Sequence, residues 1–200
     1  MPDPREDAAL AHLRRSREVI ERALADRDLV ASIVAIADRI AGALRAGGKV
    51  MLAGNGGSAA DAQHIAAELV GRFGFDRAPL AALALTTDTA ALTAISNDYS
   101  FEQVFERQVR GLGRKGDVFI GLSTSGRSGN VIAALQAARE LGLTTVGFTG
   151  SKGTAMQALC DLALVAPSDE TALIQQVHMT AAHAICGLVE GELFNAPQRG

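Results

Sequence analysis

The chain is expected to fold as one α/β domain, a parallel β-sheet flanked by helices, with an N-terminal helical extension. Three observations carry this. Short apolar runs alternate with longer stretches of helical periodicity along most of the 200 residues, and such alternation gives parallel strands covered on both faces. The length suits a single sizeable core, whereas two full domains would be cramped. The composition, 48% hydrophobic and 20% charged, is that of a globular chain. Aromatic residues are scarce and Trp is absent. An Ala-rich core of this kind packs small side chains closely and often gains further burial by oligomerising.

In chain order, residues 6–46 read as helix, with Leu10, Leu13, Val19, Ile20 and Leu24 largely at three- and four-residue spacing. Asp26-Arg27-Asp28 marks a break into two helices, and Gly47-Gly48 a stop. Residues 1–46 are taken as helices of the same domain or of an oligomer interface, and 47–200 as the ligand-binding domain proper. Lys49–Ala53 is a strand, Ser58 to about Phe73 a helix, and Leu80–Leu85 a strand. Phe101–Leu112 is a helix, Asp117–Leu122 a strand, Ser123–Asn130 a polar glycine loop and Val131–Leu141 a helix. Strands at Thr144–Phe148 and Leu162–Val165 follow, then one long helix, Glu170–Phe194.

Composition also excludes function classes. The net charge is −3 with both signs interspersed, so no basic stripe for nucleic acid is present. Arg14, Arg15 and Arg17, flanked by acids, read as a solvated helix face. Cys160 and Cys186 form no CxxC and are expected to be reduced thiols, Cys186 within the core. The polar start lacks a signal-peptide apolar region, and the apolar stretch Leu29–Ala37 is too short to span a bilayer. A cytoplasmic protein without a membrane partner is expected.

Two loops carry chemistry. Gly54-Asn55-Gly56-Gly57-Ser58 joins a strand to a helix. Its glycines permit positive φ and close backbone approach, and the helix start offers free N–H groups and a positive dipole end. Ser58 is placed either to cap that helix or to donate to an anion. Ser123-Thr124-Ser125-Gly126-Arg127-Ser128 repeats the logic with four hydroxyls, suited to the several acceptor oxygens of a phosphate. Arg127 either adds charge there or faces solvent. Both loops fall at strand carboxyl ends, where ligands bind in such sheets.

From about residue 10 to Phe194 the sequence resembles the SIS (sugar isomerase) domain family, and within it the phosphoheptose isomerases, which act on sedoheptulose 7-phosphate. The matching stretches are Gly54 through His64, Glu68, Leu85-Thr86-Thr87-Asp88, Asn97-Asp98, Ser123-Thr124-Ser125-Gly126 with Ser128, Ile174-Gln175, His178 and His183. The resemblance implies a single SIS domain. It further implies that Asn55, Gly56, Gly57, Ser58, Ser123, Thr124, Ser125 and Ser128 hold the phosphate and sugar, with Asn97, Asp98, Glu68 and Gln175 also contacting substrate. It makes Glu68 and His183 the acid/base pair, and His64, Glu68, Gln175 and His183 the ligands of one zinc per subunit. The implied assembly is a homotetramer with sites at subunit interfaces, working on a heptose precursor. One departure is Gly129, where relatives often carry Pro.

The residue types suit the chemistry. Ketose–aldose isomerisation moves a proton between C1 and C2 through an enediol, and needs a base, an acid and a tethered phosphate. His64 and Glu68, four apart, share one helix face. Gln175 and His183 are eight apart, ~12 Å along a straight helix. Either the site is therefore built at a subunit interface or one of these two is not a direct ligand; His178, three from Gln175, is the alternative on that face. A zinc-bound Glu68 would be a weak base, so ligand and base roles compete. Two other readings of the same fold are a non-enzymatic tetramer that binds a replication initiator and a sugar-phosphate sensor. The initiator-binding relatives lack the acid at position 68 and the His at position 183.

Overall fold

A computed structural model describes residues 3–194; Met1, Pro2 and residues 195–200, and with them the end of the expected 47–200 span, lie outside the described residues. Helices α1 (Pro4–Ala25) and α2 (Arg27–Arg45) lead into strand β1 (Val50–Gly54) and helix α3 (Gly57–Val70). Then come β2 (Ala82–Ala84), α4 (Thr89–Asp98), a 3₁₀ turn (Phe101–Gln103) and α5 (Val104–Leu112). The chain closes with β3 (Val118–Leu122), α6 (Gly129–Glu140), β4 (Thr144–Gly150), α7 (Thr154–Gln157), β5 (Leu162–Ala166) and α8 (Thr171–Leu193).

The five strands form one parallel sheet in the order β2-β1-β3-β4-β5. β1, β3 and most of β4 are buried on both faces, which is why they read as unbroken apolar runs rather than alternations. One face is closed by α2, α3 and α8 through Ile36, Ile40, Leu69, Ile185 and Val189. The other is closed by α5 and α6 through Phe105, Val109, Val131 and Leu135. Helix α1 packs on α8 through Val19 and Leu173.

Asp26 breaks the N-terminal helices as expected, because its carboxylate accepts from the backbone N–H groups of Asp28 and Leu29 and so starts α2. α3 stops at Val70 rather than Phe73, and β2 is shorter than Leu80–Leu85. Helix α4 and the short α7 are absent from the sequence reading. α4 buries no residue, so no apolar stripe announces it, and its start is set by Asp88 accepting from the Ala91 N–H. Among the described residues, α8 is long and apolar enough to cross a membrane by length and composition. Half of that stretch is buried here against α2 and α3. Both cysteines are free, and Cys186 lies in the core; burial pushes both thiols up to about 12. In the basic cluster, Arg17 pairs with Glu21 and Arg15 approaches Glu170, all four well exposed.

Candidate active site

The strand order reverses at β1: its chain successor β2 lies on one side and β3 on the other. A crevice opens at the carboxyl ends of the two strands flanking such a switch point. The two glycine-polar loops leave the sheet at this place, one from β1 and one from β3.

The first loop turns at Gly56, φ +56°, the N-cap of α3. No side chain caps this helix. Ser58 is already its second residue and is buried, so the capping alternative gives way. The reason is local: the Ser58 N–H is taken by the Asn55 carbonyl at 3.0 Å, and the residue packs under Gly54, where a Cβ would meet its carbonyl oxygen at 2.6 Å. Glycine at 54 is what lets the helix start this close to the strand.

The second loop turns at Gly126, φ +63°, with its Cα face against Gly153. Of its four hydroxyls, Ser123 is buried and bonded to Ser128, Oγ to Oγ, at 2.9 Å. Thr124 and Ser125 instead line a cavity of about 250 Å³ with Arg127, Lys152, Asp169 and Ile174. Lys152 donates to Asp169 at 2.6 Å at its rim.

Asn55 and Asn130 join the two loops. Each amide donates to the other's carbonyl oxygen, at 2.8 and 2.9 Å. Asn130 is buried in the first turn of α6, so both polar ends of each side chain are satisfied across the crevice. Asn130 is absent from the sequence-derived candidates. A pairing between residues 75 positions apart leaves no periodic trace.

Beyond the first loop, α3 and α8 run side by side in the same direction. Gln175 meets Gly57, His183 meets His64, and Glu190 reaches the turn after α3. His64 Nε2 lies 3.1 Å from Glu68 Oε1 and 3.5 Å from His183 Nε2. The three ligand atoms all fall within 4.8 Å of one another in a single chain. A tetrahedral ion with bonds of ~2.0–2.1 Å spaces its ligands by about 3.3 Å, so a small hard-to-borderline cation fits this His₂Glu donor set. Gln175 is not part of that triplet. Its amide lies against Gly57, where a Cβ would come within 2.4 Å of Nε2. This is seven residues before His64 on α3, consistent with the eight-residue separation on α8.

His178 does not serve as the alternative. It is fully buried in the core, where its Nε2–H donates to the Thr149 carbonyl at 3.1 Å. Burial lowers its pKa to about 4, so the ring is neutral. Asn97 and Asp98 end α4, exposed and bonded to each other at 2.8 Å. Among the described residues they bond to none of the other candidates. Asp61 lies one turn before His64. Burial raises its carboxyl to about 6, against the pull of His64, and its Oδ2 has no hydrogen-bond partner among the described residues. Phe73 stacks on His183 with ring centroids 5.6 Å apart and planes at 29°.

Residues 12–150 match the family model for the SIS domain. The chain is 58% identical over 194 residues to the phosphoheptose isomerase of Bradyrhizobium sp. (strain ORS 278), covering 97% of this chain and 98% of that one. Among solved structures it is similar to the phosphoheptose isomerase of Neisseria gonorrhoeae, with TM-score 0.87, 44% identity, and 93% and 98% of the two chains covered. It is likewise similar to that of Francisella tularensis, with TM-score 0.88, 34% identity, and 92% and 97% covered.

Proposed function

The chain belongs to the SIS domain family, among its phosphoheptose isomerases, and on that premise we propose how its residues interconvert a ketose phosphate and an aldose phosphate. It is a sugar-phosphate isomerase of the aldose–ketose type. The substrate is D-sedoheptulose 7-phosphate and the product D-glycero-D-manno-heptose 7-phosphate, the first step toward a nucleotide-activated heptose. The observation that carries this reading is the convergence of His64, Glu68 and His183 beside two loops built for an anion.

The phosphate is held by the hydroxyls of Thr124 and Ser125, with Ser128 and Ser123 behind them, and by the backbone N–H groups of Gly56 and Gly57 at the positive end of α3. Ser58 supports this loop from below, and Asn55 contacts the sugar. Asn97 and Asp98 take sugar hydroxyls at the far end, and Gln175 orients the reacting end. Tethering the phosphate converts proton transfer into a step between pre-aligned partners. Glu68 removes a proton from C1 while His183 protonates the C2 oxygen, giving the enediol. Glu68 then returns its proton to C2 as His183 accepts one from the C1 hydroxyl. Atoms and charges balance, and no water need enter.

His64, Glu68 and His183 would hold one zinc per subunit, which would polarise the carbonyl, and Gln175 would complete the set only by turning away from Gly57. To keep its basicity, Glu68 would have to bind such an ion loosely. The working assembly is a homotetramer with sites at subunit interfaces, in the cytoplasm, with residues 1–46 as helices of the same domain as 47–200. Exposure of Leu13, Leu24, Val30 and Val34 along α1 and α2 supports a partner there. The initiator-binding and sensor readings are disfavoured, because Glu68 and His183 are both present and converge.

The test is direct. Wild-type protein incubated with sedoheptulose 7-phosphate and followed by NMR should yield the aldose, while Glu68→Gln and His183→Ala should each lose at least ~10²-fold in rate. Binding without product in the wild type overturns the reading, and metal analysis of the same sample decides zinc.

A further inference from the structure

The catalytic reading explains His64, Glu68 and His183 but leaves unexplained a buried ion pair next to them. Glu190, on α8, and Arg77, in the segment after α3, have side chains only 2% exposed and meet Nε to Oε1 at 2.9 Å. Among the described residues, neither bonds to a side chain of the convergent triplet. A buried pair of this kind gives little net stability over an apolar replacement. Its hydrogen bonds, however, are directional, and apart from one from Arg77 to the neighbouring Ala78 carbonyl they go to the end of α3 and the turn after it.

Glu190 accepts the backbone N–H of Phe73 at 3.0 Å and that of Gly74 at 2.6 Å. Arg77 donates to the carbonyls of Glu68, Leu69 and Gly71 at 2.9, 2.8 and 3.1 Å. Glu68 and Leu69 lie in the last turn of α3, where carbonyls have no partner within the helix, and Gly71 is its C-cap. One ion pair therefore fixes both the backbone that carries Glu68 and the turn that carries Phe73.

Phe73 is 36% exposed, so burial alone does not hold its ring. The ring nevertheless lies nearly parallel to the His183 imidazole, centroids 5.6 Å apart. Gly187, one turn after His183, makes the space: a Cβ there would sit 3.3 Å from Phe73 Cε1. The imidazole is thus bounded by the edge of His64 on one side, at 5.1 Å and 69°, and by the face of Phe73 on another. A histidine bounded in this way keeps one ring orientation, with Nε2 turned toward His64 and Glu68.

We propose that Phe73 is a positioning residue for His183, held in place by the Arg77–Glu190 pair and by the absence of a side chain at Gly187. It touches no reacting atom. Its effect is on how often His183 stands where proton transfer, or a metal, requires it.

The inference rests on the isomerase reading for its kinetic part, and the experiment separates the two. Phe73→Ala, Phe73→Tyr and Gly187→Ala are compared with wild type for kcat, KM, zinc affinity by chelator competition, and the His183 ring signals in histidine-labelled protein. In Phe73→Ala, kcat and zinc affinity should each fall roughly tenfold or more, the scale for residues that orient a ligand. KM should hold, because the phosphate loops are untouched. The His183 ring signals should shift as the stacked ring is lost. Phe73→Tyr, which keeps the ring, should restore all three readouts. Gly187→Ala, which pushes the ring without removing it, should act in the same direction and more weakly. Wild-type kcat and zinc affinity in Phe73→Ala would overturn the proposal, as would a loss in kcat matched by a rise in KM. If the wild type itself fails to turn over sedoheptulose 7-phosphate, the isomerase reading falls. The zinc affinity and ring signals then still decide the place of Phe73.

Discussion

Replacing Gly57 by Ala should separate stability from activity. The new Cβ would lie 2.4 Å from Gln175 Nε2 and 2.9 Å from its Cδ and Oε1. Ordinary contact is ~3.5–4.0 Å, so one partner must move by about 1 Å. The atoms that collide are the far end of a long side chain, and the Gln175 amide gives way before the backbone does. Gly57 is the first residue of α3 and has no positive φ. Gly→Ala at a compatible position stabilises by ~0.4–1 kcal/mol, mainly by restricting the unfolded chain. The melting temperature should therefore hold or rise slightly. Displacing a substrate-orienting amide by this much should cost on the order of 10²-fold in kcat/KM. Initial rates with sedoheptulose 7-phosphate and thermal melts on the same samples read both. The double variant Gly57→Ala/Gln175→Ala adds a cycle, in which the second change should cost little once the amide is already displaced. Wild-type kcat/KM in Gly57→Ala would refute the reasoning, and so would a fall of several degrees in melting temperature, which would mean that the helix start moved instead.

Other substitutions probe the second loop and the core. Gly129→Pro should stabilise by ~0.4–1 kcal/mol in thermal melts. Position 129 opens α6, where Pro fits, and Ser128 before it already has extended φ −66° and ψ 110°. Gly126→Ala should lower the melting temperature and raise KM. The left-handed backbone alone costs ~1–2 kcal/mol, and the Cβ would lie 2.4 Å from the Gly153 Cα, backbone that cannot swing away. His178 should make the fold acid-sensitive. Its folded pKa, about 4, lies below its ordinary 6.5, so the unfolded chain takes up the proton first. Stability is then complete above pH 6.5 and is lost as pH falls toward 4. His178→Gln keeps a donor for the Thr149 carbonyl and should flatten melts compared at pH 7 and pH 5; an unchanged pH dependence would contradict this account.

The sheet was legible because its central strands are buried on both faces and read as apolar runs between breakers. Both anion loops were legible for the same reason, since a strand end is easy to place. Helix α4 was not, because it buries no residue and most of its apolar positions are Ala. At the site, His64 and Glu68 could be paired from their spacing alone. That His183 joins them while Gln175 stays by Gly57 depends on α3 and α8 running parallel, which is a property of packing. Asn130, Phe73, Arg77 and Glu190 could not be read, because their partners lie on other elements and their spacing follows no period. His178 had the right spacing on α8, but the core fills the face it occupies.

Helix α8 also limits how this chain can change in length. It presents Gln175, His183 and Glu190 in turn to three stations along α3 and the turn beyond it. Each residue of an α-helix advances the face by about 100°. A one-residue deletion between Gln175 and His183 would leave the first station engaged and swing the other two away. Insertions and deletions should therefore be tolerated in the 72–81 and 86–88 connections only so far as Phe73 and Arg77 keep their places, and should be absent from residues 175–190. In a population of variants, this helix should accept many changes of letter and almost none of length.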